Sequence, residues 1–216
     1  MERPIAIALP LLLTVHAAGA ACGAPDAATL AAVVRLTGEG VEGSGVVVAP
    51  GRVVTAAHVV EDLPDVAVHF GADTRPARVL LAYPNQDVAL LAVDTGGQRP
   101  LPLGSGALTE HATVWAVGFP LGGPQVANAG EFAGWIASGE LHTTAAVDYG
   151  QSGGALLACE GGHHVLAGII SGFGALDTGE RYVRLDDFSI SVPVQEVRYL
   201  MQTANQVGVT ATVAPL

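Results

Sequence analysis

The sequence predicts an all-β protein, a sandwich or barrel built from many short strands, with one short helix at the C-terminus. Two observations predict the strands. Short β-branched runs recur at 33–34, 46–48, 53–54, 66–70, 78–82 and 88–93, and Gly, Pro and Asp punctuate them throughout. Helical periodicity is nearly absent until Pro193, after which residues 194–201 space their apolar side chains by three or four. A third observation divides the chain: residues 94–105 are dense in Gly and Pro, break both periodicities and read as a connector. After it the strand pattern resumes at 113–119, 132–137, 154–157, 165–170 and 189–192. Proline near the first turn suits a helix start, because its missing N–H would have no partner there anyway.

The first residues follow a different logic. Arg3 is followed by an apolar run from Ile5 to Val15, interrupted by Thr14, and then by the small residues Ala17 to Ala21. That is the layout of a secretory signal peptide, expected to span 1–20 with cleavage near Ala20. The run is short for a bilayer-spanning helix, so no stable membrane insertion is expected after cleavage. The expected location is exported, either periplasmic or secreted. Cys22 directly after such a segment also raises lipid attachment, although the aliphatic residue usual three places earlier is Gly19 here. The remaining chain suits two small barrels, expected over 21–98 and 99–204, with the helix in the second unit and a tail over 205–216.

A net charge of −11 with only 9 Lys and Arg predicts a surface that repels phosphate backbones, so no nucleic acid partner is expected. The two cysteines, Cys22 and Cys159, permit one disulfide in an oxidising compartment, but their separation in sequence says nothing about distance, and isolated thiols are the simpler reading.

Three segments carry the chemistry. In residues 148–157 a serine, Ser152, is embedded in glycines just before an apolar strand. Glycine lets backbone approach a substrate closely, and the amides of Gly150 and Ser152 could converge on a developing oxyanion. Taken alone, a Gly-Ser hairpin turn explains the segment as well. His58 follows Thr55-Ala56-Ala57 at the end of an apolar strand, where an imidazole could serve as base to a serine. Asp87 directly precedes Val88-Ala89-Leu90-Leu91 and could fix that imidazole's tautomer. Each of these two has an ordinary structural explanation alone. Together they appear in the order His, Asp, Ser, which differs from the Asp-His-Ser order of subtilisins and the Ser-Asp-His order of α/β-hydrolases.

The blocks Thr55-Ala56-Ala57-His58, Asp87-Val88-Ala89-Leu90-Leu91 and Gly150-Gln151-Ser152-Gly153-Gly154 resemble the three signature blocks of chymotrypsin-like serine peptidases. Within that group the chain is most similar to the HtrA/Deg-type bacterial branch, through Gly43-Ser44-Gly45, Val117-Gly118-Phe119-Pro120-Leu121-Gly122, Thr144-Ala145-Ala146-Val147 and Ser191-Val192-Pro193. The resemblance covers roughly residues 32–201. It implies two six-stranded antiparallel barrels, with His58 and Asp87 from the first and Ser152 from the second meeting in a cleft. It implies a serine endopeptidase acting on protein or peptide substrates through an acyl-enzyme, without a cofactor or metal.

The chain departs from the pattern at Gln151, where trypsin-like zymogens carry an acid that receives the new N-terminus, so activation by that ion pair is not expected. HtrA-type proteins usually carry PDZ domains after the peptidase, and none is expected in this sequence. An ungapped comparison puts Ala146 at the base of the specificity pocket, with Ile170 and Ser171 on the opposite wall, which implies small to medium apolar side chains before the scissile bond.

Other residues have simpler explanations. Glu160, His163, His164 and His142 contain metal-ligand types, yet 160–164 reads as an exposed hairpin turn. Trp115 and Trp135 are expected to pack in the second barrel. A catalytically silent peptide- or protein-binding module of the same fold is the main alternative function, although such modules usually lack one of the three residues. An esterase is a further one.

Overall fold

The computed structural model describes residues 22–208 apart from 62 and 64. The expected signal segment and residues 209–216 therefore lie outside the described residues.

Among the described residues the chain forms twelve strands. The first six are β1 (Val33–Gly38), β2 (Val41–Ala49), β3 (Arg52–Thr55), β4 (Val66–Phe70), β5 (Asp73–Tyr83) and β6 (Val88–Ala92). The second six are β7 (Thr113–Gly118), β8 (Val126–Trp135), β9 (Leu141–Thr143), β10 (Ala155–Glu160), β11 (His163–Asp177) and β12 (Tyr182–Pro193). Each set closes into an antiparallel barrel, and the order is the same in both: β1-β2-β3-β6-β5-β4 and β7-β8-β9-β12-β11-β10. Closure removes the exposed edges that short strands would otherwise present.

Each barrel has its own core. Leu36, Val47, Val53, Val68 and Leu91 fill the first, and Val114, Phe132, Leu141, Leu156 and Ile170 the second. A third cluster joins the two barrels, with Val46, Val54, Val88 and Leu90 from one and Val117, Leu157, Leu166 and Ile169 from the other.

The C-terminal helix completes that shared core. Now α3 (Val194–Gln206), it begins after Pro193, as the sequence predicts, and runs two residues past 204. It buries Val194, Val197, Leu200 and Ala204 on one face and packs against β5, β6, β11 and β12. Burying each larger aliphatic side chain contributes about 1.5–3 kcal/mol, so this face joins the barrels firmly. Arg198 of α3 donates to the carbonyls of Leu103 and Gly104, tying the helix to the connector.

Two short helices escape the sequence pattern. α1 (Ala27–Ala31) is capped by Asp26, whose side chain accepts from the Thr29 amide, and α2 (Ala57–Val60) follows β3 directly. Both are too short to show a period. The connector is extended and stitched to both barrels: Leu101 N–H donates to Val47 O, and Leu166 N–H to Pro102 O.

Cys22 and Cys159 form a disulfide that pins the start of the described chain to β10 across a separation of 137 residues. A cross-link of this kind typically stabilises by about 2–4 kcal/mol. The same sulfur cannot also carry a lipid thioether, so lipid attachment at Cys22 does not fit this structure. Trp115 packs against the shared core, whereas Trp135, expected inside the second barrel, is half exposed, with its edge to Phe132. It ends β8 on the outward face, which its place in the strand dictates.

Candidate active site

His58 lies in α2, immediately after β3 has brought the chain to the groove between the barrels. Its Nδ1 donates to Asp87 at 2.9 Å from Oδ1 and 3.0 Å from Oδ2, and its backbone N–H donates to Oδ1 at 3.0 Å. Asp87 can present its carboxylate this way because it sits at φ 50° at the end of the short 3-10 turn Pro84–Gln86. Asp is among the few residue types that tolerate this left-handed conformation.

Burial alone would raise the Asp87 pKa, but hydrogen bonds from the His58 ring, the Ser171 hydroxyl and the His58 amide outweigh it and hold the group below its ordinary 3.8. The hydrogen bond to Asp87 raises His58 above 6.5, against a smaller opposing effect of desolvation. With Nδ1–H committed to the carboxylate, Nε2 is left as the proton acceptor of the neutral ring.

Ser152 occupies the turn that leads into β10. Its backbone carbonyl accepts from Ser44 N–H at 2.8 Å, a bond from one barrel to the other. Gly153, at φ +83°, has no room for a side chain: a Cβ would come within 2.1 Å of Ser44 O and of Thr55 Oγ1. Ala56 N also lies within 3.0 Å of that point, so the turn packs against the segment carrying His58. The Ser152 hydroxyl donates to Ser171 O at 3.1 Å, and Ser171 Oγ donates to Asp87 Oδ2 at 2.5 Å. Among the described residues the hydrogen bonds of the His58 ring all go to Asp87.

The amides expected to bind an oxyanion are oriented by their neighbours. Gln151 N–H donates to Asp148 O across a turn whose third residue, Gly150, has φ +87°, the type II pattern that favours glycine. Tyr149 O accepts from Leu121 N–H at 2.7 Å, and Gln151 O from Gly154 N–H at 2.9 Å. A trans peptide points its N–H opposite to its C=O, so the Gly150 and Ser152 amides face away from those partners. Among the described residues neither amide donates a hydrogen bond.

The three residues proposed for specificity fall in different places. Ala146 is exposed, and its carbonyl accepts from Asn128 Nδ2 at 2.7 Å. Ile170 does not line a cleft with its side chain: it is 1 % exposed and packs in the second core. Only its backbone faces the turn, accepting from Gly153 N–H. The reason is strand alternation, which sends residue 170 inward and residue 171 outward. Ser171 does reach the site, where its hydroxyl is taken up by Asp87.

Sequence reasoning missed Ser44 as a site residue. Its hydroxyl donates to Gly150 O at 2.8 Å and accepts from Phe119 N–H at 3.0 Å, bracing the turn from β2. A serine between two glycines in a strand was the signal available. Gln151 is buried, its Oε1 accepting from Asp148 N–H, where a zymogen-type acid would stand. His142 stacks on Phe188 with ring centroids 3.9 Å apart, and Glu160 accepts from Ser105, so these two are engaged away from His163 and His164.

Comparison with known proteins agrees with the fold. A family profile, the trypsin-like peptidase domain, matches residues 43–169, more than half of the chain. The serine protease Rv3671c of Mycobacterium tuberculosis is 39% identical over 82 residues, which are 38% of this chain and 21% of that protein. The chain thus spans about a fifth of the length of the curated relatives it matches. The crystal structure of the inactive form of the Rv3671c protease superimposes with a TM-score of 0.69 at 25% identity, covering 84% of this chain and 98% of that one. The HtrA-type protease AlgW with a tripeptide gives a TM-score of 0.71 at 22% identity, covering 85% of this chain and 65% of that one.

Proposed function

The chain belongs to the trypsin-like peptidase family of serine-type hydrolases, and on that premise we propose that it is an endopeptidase with Ser152 as nucleophile, His58 as general base and Asp87 as the group that orients and charges the imidazole. The observation that carries this reading is that one residue, Ser171, is hydrogen-bonded to Asp87 through its hydroxyl and to Ser152 through its backbone carbonyl, which places all three candidate groups around it. Asp87 in turn accepts from the His58 ring.

In the first step the Ser152 hydroxyl leaves Ser171 O and turns to His58. Its proton passes to Nε2 as Oγ bonds to the substrate carbonyl carbon, and the carbonyl oxygen takes the negative charge. The Gly150 and Ser152 amides stabilise that oxygen. Nε2–H then protonates the leaving amine as the C–N bond breaks, leaving an acyl-Ser152. A water molecule gives a proton to the same Nε2 as its oxygen bonds to the acyl carbon; the C–Oγ bond then breaks, Nε2–H returns its proton to Ser152 Oγ, and the acid leaves. Asp87 stays ionised throughout, which its low pKa favours. No step requires a metal or cofactor.

Substrates are protein or peptide chains, with small to medium apolar side chains before the scissile bond. The protein is exported to the periplasm or outside the cell, and the Cys22–Cys159 disulfide suits an oxidising compartment. Among the described residues no helix is long and apolar enough to cross a membrane.

A silent binding module of the same fold draws on one observation, the engagement of Ser152 Oγ by Ser171 O. Labelling with a fluorophosphonate and digestion of casein test both readings. The wild type takes the label and cleaves casein, and Ser152→Ala loses both. A folded wild type that takes no label favours the binding module.

A further inference from the structure

Beside Ser152 two backbone segments run along either flank of the turn. One is 146–149, which leads into it, and the other is Ser171-Gly172-Phe173, whose first carbonyl accepts from the Ser152 hydroxyl. A substrate whose carbonyl carbon meets Ser152 Oγ, with its oxygen on the Gly150 and Ser152 amides, sends the adjoining side chain between these segments. Arg184 spans that gap. It comes from β12, opposite Ala175, in the long hairpin that extends β11 and β12 beyond the barrel.

One Arg184 Nη donates to Val147 O, and the other lies 3.1 Å from Asp148 Oδ1, both on the first segment. Its Cζ stands 4.5 Å over the Phe173 ring on the second. Tyr149 packs edge-on to the same ring at 5.3 Å. We propose that Arg184, stacked on Phe173 and bonded to Val147 and Asp148, is a specificity-determining residue that bars large side chains from the cleft beside Ser152.

The restriction is by size rather than by charge. Asp148 at 3.1 Å and Asp186 at 4.0 Å offset the guanidinium, so it is not an open counter-ion for an acidic substrate side chain. Planarity matters too, because one flat group stacks on an aromatic face while donating in its own plane, which an ammonium cannot do. The inference rests on the peptidase reading above and adds the residue that sets the limit on size.

The test uses peptide p-nitroanilides that differ only in the residue before the scissile bond, from Ala to Leu and Phe. Arg184→Ala is expected to raise kcat/KM for Phe relative to Ala by about tenfold or more, the discrimination that a few methylenes in a pocket provide. Arg184→Lys is expected to fall between. Should Arg184→Ala fold poorly by thermal unfolding, Phe173→Ala opens the same gap from the other side and carries the same expectation. Labelling by a small fluorophosphonate, which has no side chain to enter the cleft, reports on the nucleophile separately. A variant that takes the label while its Phe-to-Ala ratio stays at the wild-type value overturns the proposal alone. A wild type that takes no label overturns the peptidase reading and the proposal with it.

Discussion

In the first barrel the cleft residues His58 and Asp87 hold each other through side chains, whereas the second barrel presents Ser152 on a turn held mostly through backbone. His58 and Asp87 share three hydrogen bonds, with Ser171 adding a fourth to the carboxylate. Around Ser152 the bonds run instead from Ser44 N–H to Ser152 O, from Gly153 N–H to Ile170 O and from Gly154 N–H to Gln151 O. The strand order of the two barrels is identical, so topology does not account for the difference. Local chemistry does. An ion pair is tuned by electrostatics and responds to pH, whereas a glycine turn is shaped by sterics and responds to added volume.

The largest expected effect breaks the first arrangement. Asp87→Asn retains the shape of the side chain but cannot hold the required tautomer, and kcat/KM on a peptide substrate is expected to fall by on the order of 10⁴. Unfolding temperature should change little by comparison. A loss of less than about tenfold would mean that Asp87 does not orient His58.

The next effect breaks the second arrangement. Gly153→Ala places a Cβ 2.1 Å from Ser44 O at a φ of +83°. Backbone on one side and a buried Thr55 hydroxyl on the other leave little to yield, so destabilisation by more than about 2 kcal/mol is expected in urea unfolding. Gly161 sharpens the comparison, since it has φ +59° and an added methyl would meet nothing within 4 Å. Gly161→Ala should cost only the conformational penalty of about 1–2 kcal/mol, with the activity retained.

The smallest effect is in pH dependence. His58 must be neutral to accept a proton, and its pKa is raised above 6.5, so kcat/KM should rise with pH through a midpoint above 6.5. Replacing Asp87 by Asn should lower that midpoint, because the hydrogen bond to the carboxylate is the main cause of the shift. The stability contributions have opposite pH dependences. The raised His58 pKa adds stability below 6.5 that is lost as pH rises through its folded value. The lowered Asp87 pKa adds stability above 3.8 that is lost as pH falls through its folded value. Both are present between those limits, where unfolding measurements should find the wild type most favoured over Asp87→Asn.

Much of the strand pattern was legible because each barrel strand alternates or runs apolar over a core. β4 matches its sequence run at both ends. β9 was missed because Leu141–Thr143 is too short to show a period. β11 and β12 were cut short at their barrel portions. Their outer arms carry Gly172, Gly174, Asp186 and Asp187, residues that read as loop; Gly172 is held by pairing with Ile190, and the other three lie in the register shift between the Phe173–Ser189 and Ala175–Arg184 pairs. The Ile170 placement fails for a reason visible in the strand itself, since alternation separates it from Ser171.

The amino-acid sequence alone determined which side-chain chemistries this protein can combine. A histidine after a small-residue strand end, an aspartate before an apolar strand and a serine among glycines are local patterns, and local backbone preferences write them directly into the chain. Only tertiary structure decided what those groups touch: that Ser171 joins Asp87 to Ser152, that Ser44 braces the Ser152 turn from the other barrel, that Cys22 meets Cys159, and that Arg184 reaches Val147, Asp148 and Phe173. Most of these contacts join residues far apart in the chain. Their distances follow from barrel closure and the shared core, which no single stretch of sequence encodes.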